Sequence, residues 1–293
     1  MKTERVFARH ESRKTKPDTN RMSIPPRILL LGAHPDDAEY HAGGLLTRYR
    51  EELDATVRLI SLTDGSAGHH ERSPEELCKL RQEESANAGK VIGAEYLNWD
   101  LPDARLEATL ENRERVIREI RTFRPDLLLT HRTCDYHPDH RAVAQLVQDA
   151  SYLVTVPNVL PEVSPLFDDP VVLYMPDLFS RPAPLRPDLV LDVGEQVDSI
   201  ITMLACHRTQ VFEWLPYEEG ILNEVPEDED TKFDWLRNWF HEQVAERADH
   251  FRDALVATYG EERGQAVTYC EAYEISEYAS PLDEEKQAKL WPF

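Results

Sequence analysis

The sequence predicts an α/β protein with a Rossmann-like, mostly parallel sheet and helices on both faces. Short apolar runs such as residues 28–32 are bounded by turn residues, as buried parallel strands are. These runs alternate with amphipathic segments of helical length, which favours right-handed βαβ units. The chain of 293 residues is 41% hydrophobic, so it can bury a sizeable core.

The first half reads as four strand–helix pairs. Strands are predicted at 28–32, 56–62, 96–99 and 127–130, and helices at 39–50, 74–92, 112–123 and 142–153. Ser73 and Glu76 form a capping box, with Pro74 at the first helical position and Gly93 as the stop. Pro35 is likewise predicted at the first position of the helix after the first strand.

The second half is less regular. A proline-rich stretch at 154–187 surrounds a strand at 171–174, followed by a strand at 189–193 and a helix at 196–206. Residues 213–230 are predicted to be a solvated acidic loop. A helix at 232–259 places Trp235, Trp239 and Phe240 in the core. Alternation at 267–278 predicts a half-exposed edge strand. The whole suggests one domain over 23–293 with a C-terminal helical and edge-strand extension, and a disordered tail at 1–22.

Composition excludes several classes of partner. The net charge of −22 argues against nucleic acid and anionic membranes. No apolar run approaches the roughly 20 residues of a membrane span, and no segment resembles a signal peptide. The four cysteines have no CxxC spacing and are predicted to be free thiols of a cytoplasmic protein: Cys78, Cys134, Cys206 and Cys270.

Two histidine- and aspartate-rich motifs follow the first and fourth strands. In the usual strand order 3-2-1-4 these strands are neighbours, and the ligand crevice opens between them. His34 and Asp37 would then converge with His137 and His140. Two histidines and a carboxylate with an open fourth position are typical of catalytic zinc. Either motif alone is equally well explained by polar residues at a helix start, where Asp is favoured by the helix dipole.

The motifs also carry a resemblance to a known family. AHPDD at 33–37 and HPDH at 137–140, about a hundred residues apart, resemble the PIG-L/LmbE family of zinc-dependent N-acetylglucosaminyl deacetylases. The resemblance extends to the segments at 63–68, 81–84 and 101–103, and more weakly to 192–210, which includes HRTQ at 207–210.

The resemblance implies a role for each matching residue. His34, Asp37 and His140 would bind one Zn²⁺ per chain, with Fe²⁺ or another divalent ion possible in its place. Asp36 would be the general base for water attack on the amide, and His137 would stabilise the oxyanion. Zinc lowers the pKa of bound water to about 7, which makes this chemistry available at neutral pH.

The implied substrate is a small N-acetylglucosamine-type amino sugar or a conjugate of one. Arg81 and Asp103 would contact it. For Arg81 the alternative is a surface salt bridge with Glu84 or Glu76, worth only about 0–1 kcal/mol. The proline-rich stretch would shape a pocket or a contact in a homo-oligomer.

Three alternative functions would each require a different set of residues. A non-catalytic metal- or sugar-binding module on the same fold would not need Asp36 and His137, yet both are present. A nucleotide-binding Rossmann enzyme would carry GxGxxG after the first strand, where this chain has His-Pro-Asp-Asp. A metallophosphoesterase would normally need ligands for two metals.

Several residues near the motifs stay without a fixed role. Many family members have Glu directly after the two aspartates, whereas here Ala38 intervenes before Glu39. Gly43 and Gly44 within a helix indicate close approach to the sheet or to a ligand. Four other histidines are predicted to be surface or supporting residues rather than ligands: His41, His69, His70 and His131.

Overall fold

The computed structural model describes residues 24–293, so the predicted tail at 1–22 lies outside the described residues. A sheet of seven strands crosses the molecule in the order β3-β2-β1-β4-β5-β7-β6. The strands are β1 (Arg27–Gly32), β2 (Thr56–Thr63), β3 (Glu95–Leu101), β4 (Leu127–Thr130), β5 (Val171–Tyr174), β6 (Leu189–Asp192) and β7 (Cys270–Ile275).

The predicted order 3-2-1-4 is confirmed, and β1 is hydrogen-bonded in parallel to both β2 and β4. Leu30 stands opposite Leu59 of β2 and Leu129 of β4, so leucines of the three strands lie side by side. Only β7 runs antiparallel, to β5 and to β6. The carboxyl ends of β1 and β4 therefore open at the same edge of the sheet.

Helices cover both faces. They are α1 (Asp37–Leu53), α2 (Pro74–Ile92), α3 (Leu110–Phe123), α4 (Pro138–Leu153), α5 (Val197–Leu204), α6 (Leu215–Glu218), α7 (Glu229–His250), α8 (Arg252–Tyr259), α9 (Glu261–Ala266) and α10 (Glu284–Leu290). Ile28 and Leu30 of β1 face the core beneath α1, α5 and α7, whereas Leu29 and Leu31 face α3 and α4. This two-residue alternation, apolar on both sides, is what a central parallel strand needs.

The start of α2 is as predicted. The Ser73 side chain accepts from the backbone N–H of Glu76, Pro74 opens the helix, and Gly93 ends it at φ +68°. The prediction for Pro35 is wrong, because α1 begins at Asp37 and Asp36 is its cap. Asp36 has φ +119°, so the chain turns sharply between the strand and the helix and leaves Pro35 in that turn.

The C-terminal strand is not at the edge of the sheet. β7 lies between β5 and β6, and most of it is buried. Glu271, a charged residue within the alternating segment that predicted a half-exposed strand, is itself buried. It accepts from the backbone N–H groups of Gly44 and Leu45 at 2.7 and 2.9 Å. A side chain on Gly44 would also collide with Val193, so the tight helix–sheet contact explains this glycine.

Two further predictions, the loop at 213–230 and the single helix at 232–259, are wrong. Residues 213–230 are not one loop, since a π-helical turn at Thr209–Trp214 continues into α6. The predicted helix at 232–259 is two helices, α7 and α8, because the helical backbone is interrupted at Phe251. Phe251 is buried in a separate cluster with Leu255 and Ala248. Across the described part of the chain, no helix has the length and apolar character that a membrane span requires.

Candidate active site

The first and fourth strands bring His34, Asp37 and His140 together. His34 Nδ1 lies 3.2 Å from His140 Nε2, and Asp37 Oδ1 lies 3.5 Å from the same nitrogen. His34 Nδ1 is 3.8 Å from Asp37 Oδ2. Ligands about 2.0–2.1 Å from a tetrahedral zinc ion stand roughly 3.3 Å apart. The two ring nitrogens and the Asp37 carboxylate therefore lie close enough together to surround one divalent ion.

Each of these side chains has a polar neighbour at its second polar atom, although only Asp37 is hydrogen-bonded there among the described residues. Asp37 Oδ2 accepts from the backbone N–H groups of Ala33 and His34 at 2.8 and 2.7 Å. His140 Nδ1 lies 3.2 Å from Asp135 Oδ2. His34 Nε2 lies 3.3 Å from Asp103 Oδ1. Outer partners of this kind orient metal ligands, so the residues present fit a metal site.

The charges of the site are mutually supporting. Although burial raises it, the pKa of Asp37 is held well below its usual value by His140 and His131. Burial lowers the pKa of His34, but Asp103 and Asp139 more than compensate and raise it. Asp37 is thus a carboxylate at neutral pH, the form that binds a cation.

Asp36 faces the cavity next to these residues. Burial and the charge of Asp37 raise the pKa of Asp36 to about 6, a value suited to proton transfer near neutral pH. Its φ of +119° is unusual for a residue other than glycine. The backbone N–H of Asp36 donates to Tyr96 Oη at 3.2 Å, which helps to hold this conformation. Such strain is concentrated at functional sites.

His137 lies across the site from His34, with ring centroids 4.4 Å apart. Its Nδ1 accepts from the backbone N–H of Asp139 at 3.2 Å and caps α4. The neutral ring therefore carries its proton on Nε2. Burial and the neighbouring His34 and His140 lower the pKa of His137, so it is a neutral donor rather than a cation. Among the described residues, three overlapping groups could hold a metal ion: His34, His137 and His140; Asp37, His131 and His140; and His34, Asp103 and Asp139.

A cavity of about 370 Å³ is lined by His34, Asp36, Asp37 and His140, whereas His137 is not among its lining residues. One wall comes from the loops after β1 and β4. The opposite wall comes from residues far along the chain, including Pro176, Phe179, Gln210, Leu215, Glu219, Trp239, Gln243 and Arg247. The size is within the range of small-molecule sites.

The sequence comparisons agree with this geometry. The PIG-L family, described as GlcNAc-PI de-N-acetylase, matches residues 29–151. A probable N-acetyl-α-D-glucosaminyl L-malate deacetylase from Bacillus subtilis is 29% identical over 74% of this chain and 95% of its own length. A 1D-myo-inositol 2-acetamido-2-deoxy-α-D-glucopyranoside deacetylase from Saccharopolyspora erythraea is 26% identical over 66% of this chain and 80% of its own.

Residues 29–151 of the chain thus carry a PIG-L domain match, and the chain resembles deacetylases of the PIG-L/LmbE family.

Solved structures support the fold. The N,N'-diacetylchitobiose deacetylase of Pyrococcus horikoshii matches with a TM-score of 0.64 at 18% identity, over 86% of this chain and 84% of that one. The 4-carboxy-2-hydroxymuconate hydratase GalB of Pseudomonas putida matches with a TM-score of 0.66 at 19% identity, over 85% and 95%. The same frame thus carries a hydratase as well as deacetylases, so the reaction must be argued from the site.

Within this site, the supporting residues Asp135 and Asp139 were not singled out from the sequence, whereas His131 was predicted to be a surface or supporting residue. His131 Nε2 lies 3.0 Å from Asp37 Oδ2, and its ring stacks on His140 at 4.0 Å. Asp135 accepts from the backbone N–H of His137, and Asp139 accepts from that of Ala104. His131 is buried, so of the two readings left open for it only the supporting one stands. The position of Asp135 two residues before His137 was the one available signal.

The two predicted substrate contacts lie elsewhere. Arg81 is only 1% exposed, donates to the backbone oxygen of Gly68 at 3.2 Å and lies 4.0 Å from Glu84, so the ion pair considered for it is present but buried rather than on the surface. Asp103 faces His34 and also accepts from the backbone N–H of Ala67. Neither residue is among those that line the cavity. Contact of Arg81 and Asp103 with substrate stays a prediction.

The HRTQ segment explains Glu39. His207 Nε2 lies 3.0 Å from Glu39 Oε1, and both side chains are 0% exposed. The backbone N–H and hydroxyl of Thr209 donate to Glu84 at 2.8 and 2.7 Å. Glu39 is therefore a buried partner of a distant segment, and that segment places Gln210 in the cavity wall.

Proposed function

We propose that this chain is a cytoplasmic, zinc-dependent hydrolase that removes the acetyl group from a small N-acetylglucosamine-type sugar conjugate. The observation that carries the proposal is the triangle of His34, Asp37 and His140 with Asp36 beside it. The curated relatives, which are named as deacetylases of such conjugates, support the substrate class. Four free cysteines support a reducing compartment.

His34, Asp37 and His140 would hold the ion. When bound, a divalent ion supplies a Lewis acid that activates water and polarises the amide carbonyl. The protein must also place the amide against Asp36 and His137 and exclude bulk water. The cavity wall opposite the motifs serves that purpose, since it encloses the site with Phe179, Leu215 and Trp239.

Proton transfer belongs to Asp36. Its carboxylate accepts the proton of the attacking water, and its pKa of about 6 lets it return that proton to the departing amine. His137 donates through Nε2–H to the carbonyl oxygen as negative charge develops there. One donor of that kind contributes about 2.7–4 kcal/mol in other enzymes.

Metal analysis and amine release test the proposal together. Purified protein should contain one divalent ion per chain and release amine from a panel of N-acetylglucosamine conjugates. His140→Ala should lose the ion, whereas His250→Ala, which removes an exposed histidine of α7, should keep it. The identity of the ion follows from the same analysis, because Fe²⁺ could occupy such a site.

Each other outcome has a meaning. Equal metal in His140→Ala and the parent protein removes His140 from the ligand set. An absence of metal in both, after reconstitution, contradicts the site. Metal without amine release from any conjugate favours the non-catalytic binding module.

A further inference from the structure

Arg247 of α7 lies in the cavity wall. It is 6% exposed, and Nη1 donates to the backbone oxygen of Tyr40 at 2.9 Å. The guanidinium stacks over the Tyr40 ring at 4.6 Å. Among the described side chains, no carboxylate comes within 4.0 Å of it. Its charge acts at longer range on the buried Glu271, but no described carboxylate bonds the guanidinium directly, so most of its N–H donors are left for an anionic ligand.

The acidic residues of the cavity are already engaged. Asp37 is held by His131, and Asp135 lies against His140. Asp177 accepts two bonds from Arg132 at 2.6 and 2.5 Å. Glu219 accepts from Trp239 Nε1 and Gln243 Nε2 at 3.0 and 3.2 Å. The exception is Asp36, which adjoins the proposed metal ligands and is assigned to proton transfer.

We propose that Arg247 binds an oxoanion, a carboxylate or a phosphate, carried by the aglycone of the substrate. This inference rests on the proposed function and narrows its substrate class to anionic conjugates. The planar guanidinium can donate two parallel bonds to such a group, and the Tyr40 oxygen fixes one edge of it. The proposal separates the two kinds of curated relative, since L-malate is dianionic whereas inositol is uncharged.

The first test compares charged and uncharged conjugates of the same sugar. The probes are N-acetylglucosaminyl L-malate, its dimethyl ester, N-acetylglucosamine 1-phosphate and methyl N-acetylglucosaminide. In the parent protein the charged probes should have the higher kcat/KM, and the better of the two identifies carboxylate or phosphate. Arg247→Gln should raise KM for that probe about ten- to a hundredfold at nearly constant kcat. The uncharged probes should change less than about threefold.

A matched control removes the same charge from the same helix. Arg237 pairs with Asp198 at 2.7 Å and is not among the cavity residues. Arg237→Gln should therefore leave all four KM values unchanged. Arg247→Lys, which keeps the charge but loses the planar fork, should fall between the parent protein and Arg247→Gln.

A structural role for Arg247 at Tyr40 would give a different pattern. It would lower the melting temperature and impair charged and uncharged probes alike. Equal effects on all four probes, or equal use of the malate conjugate and its ester by the parent protein, would overturn the inference.

Calorimetry keeps the inference separate from the proposed function. Binding of the amine product glucosaminyl L-malate needs no turnover, and Arg247→Gln should weaken it about ten- to a hundredfold. Should no probe release amine, the proposed deacetylase function fails while this binding test still decides the role of Arg247. Unchanged binding in Arg247→Gln contradicts the anion site whatever the activity.

Discussion

The two walls of the cavity are built differently. The motif wall, formed by residues 33–37 and 131–140, holds the Asp37 carboxylate through several contacts, whereas His34 Nε2 and His140 Nδ1 lie near carboxylates without a hydrogen bond among the described residues. Asp37 Oδ2 alone accepts from two backbone N–H groups and lies 3.0 Å from His131. The outer wall, formed by residues 176–179, 210–219 and 239–247, presents groups with spare bonding capacity. Arg247 makes one hydrogen bond there, and Gln210 has a buried oxygen without a partner among the described residues.

This difference separates reaction from recognition. A metal ligand or general base works only within narrow geometric limits, so its supporting contacts must leave it no alternative position. A wall that binds the variable part of a substrate needs free donors and acceptors facing the cavity. Substitutions in the motif wall should therefore change kcat or metal content, and substitutions in the outer wall should change KM.

The largest expected effect is in the motif wall. Asp36→Ala should keep the metal and lower kcat by a factor of about 10²–10⁴, because it removes the proton acceptor. Glu219→Ala provides the comparison from the outer wall and should change KM with kcat nearly constant. Single-substrate kinetics with metal analysis measures both. Turnover close to normal in Asp36→Ala would assign the proton to another group.

The next effect tests how firmly the motif wall is anchored. His207→Ala leaves Glu39 buried without its partner, and breaking such pairs costs about 3–5 kcal/mol. We expect the urea midpoint to fall accordingly. Arg208→Ala is the neighbouring control, since Arg208 pairs with Glu229 on the surface and such pairs are worth about 0–1 kcal/mol. Equal losses in the two variants would show that the buried pair adds nothing.

The motif wall was predictable because strand topology places it. Once β1 and β4 are neighbours, their following residues meet, which brings His34 and Asp37 towards His137 and His140, whereas the choice of His34, Asp37 and His140 as ligands came from the family resemblance. The outer wall depends on contacts between distant segments, such as Trp239 with Glu219. Trp239 is in the core as predicted, but its helical spacing gave no sign that it also lines the cavity. The prediction of a half-exposed strand at 267–278 was wrong for a similar reason. Alternation does not show whether the partner of a carboxylate such as Glu271 is water or a buried N–H group.

His41 joins the two walls and gives a pH dependence. Burial and the nearby Arg247 lower the pKa of His41 to about 3, and its Nδ1 lies 3.0 Å from the Pro176 oxygen. In the unfolded chain, where the pKa of a histidine is about 6.5, His41 binds a proton at pH values between about 3 and 6.5 at which it stays neutral in the folded chain. Stability attributable to His41 is therefore full above about pH 6.5 and declines as the pH falls towards 3.

His41→Gln removes this titration and keeps a donor for the Pro176 oxygen. Between pH 7 and pH 5 we expect the free energy of unfolding of the parent protein to fall by about 1–2 kcal/mol more than that of the variant. The melting temperature of the parent protein should fall correspondingly more steeply. His250→Ala supplies the control for removal of an exposed histidine. Parallel curves for the parent protein and His41→Gln would contradict the depressed pKa.

The smallest expected effect is the strain stored at Asp36. At φ +119° a side chain costs about 1–3 kcal/mol, whereas glycine adopts such angles freely. Glycine also adds freedom to the unfolded chain, which offsets about 0.4–1 kcal/mol of the relief. Asp36→Gly should therefore be more stable than Asp36→Ala by about 1 kcal/mol, although both lack the general base. Because the two variants share the loss of charge and hydrogen bonding, urea denaturation of the pair isolates the backbone contribution. A glycine variant less stable than the alanine variant would mean that the turn relaxes without strain, and the motif wall would then owe its geometry to its hydrogen bonds alone.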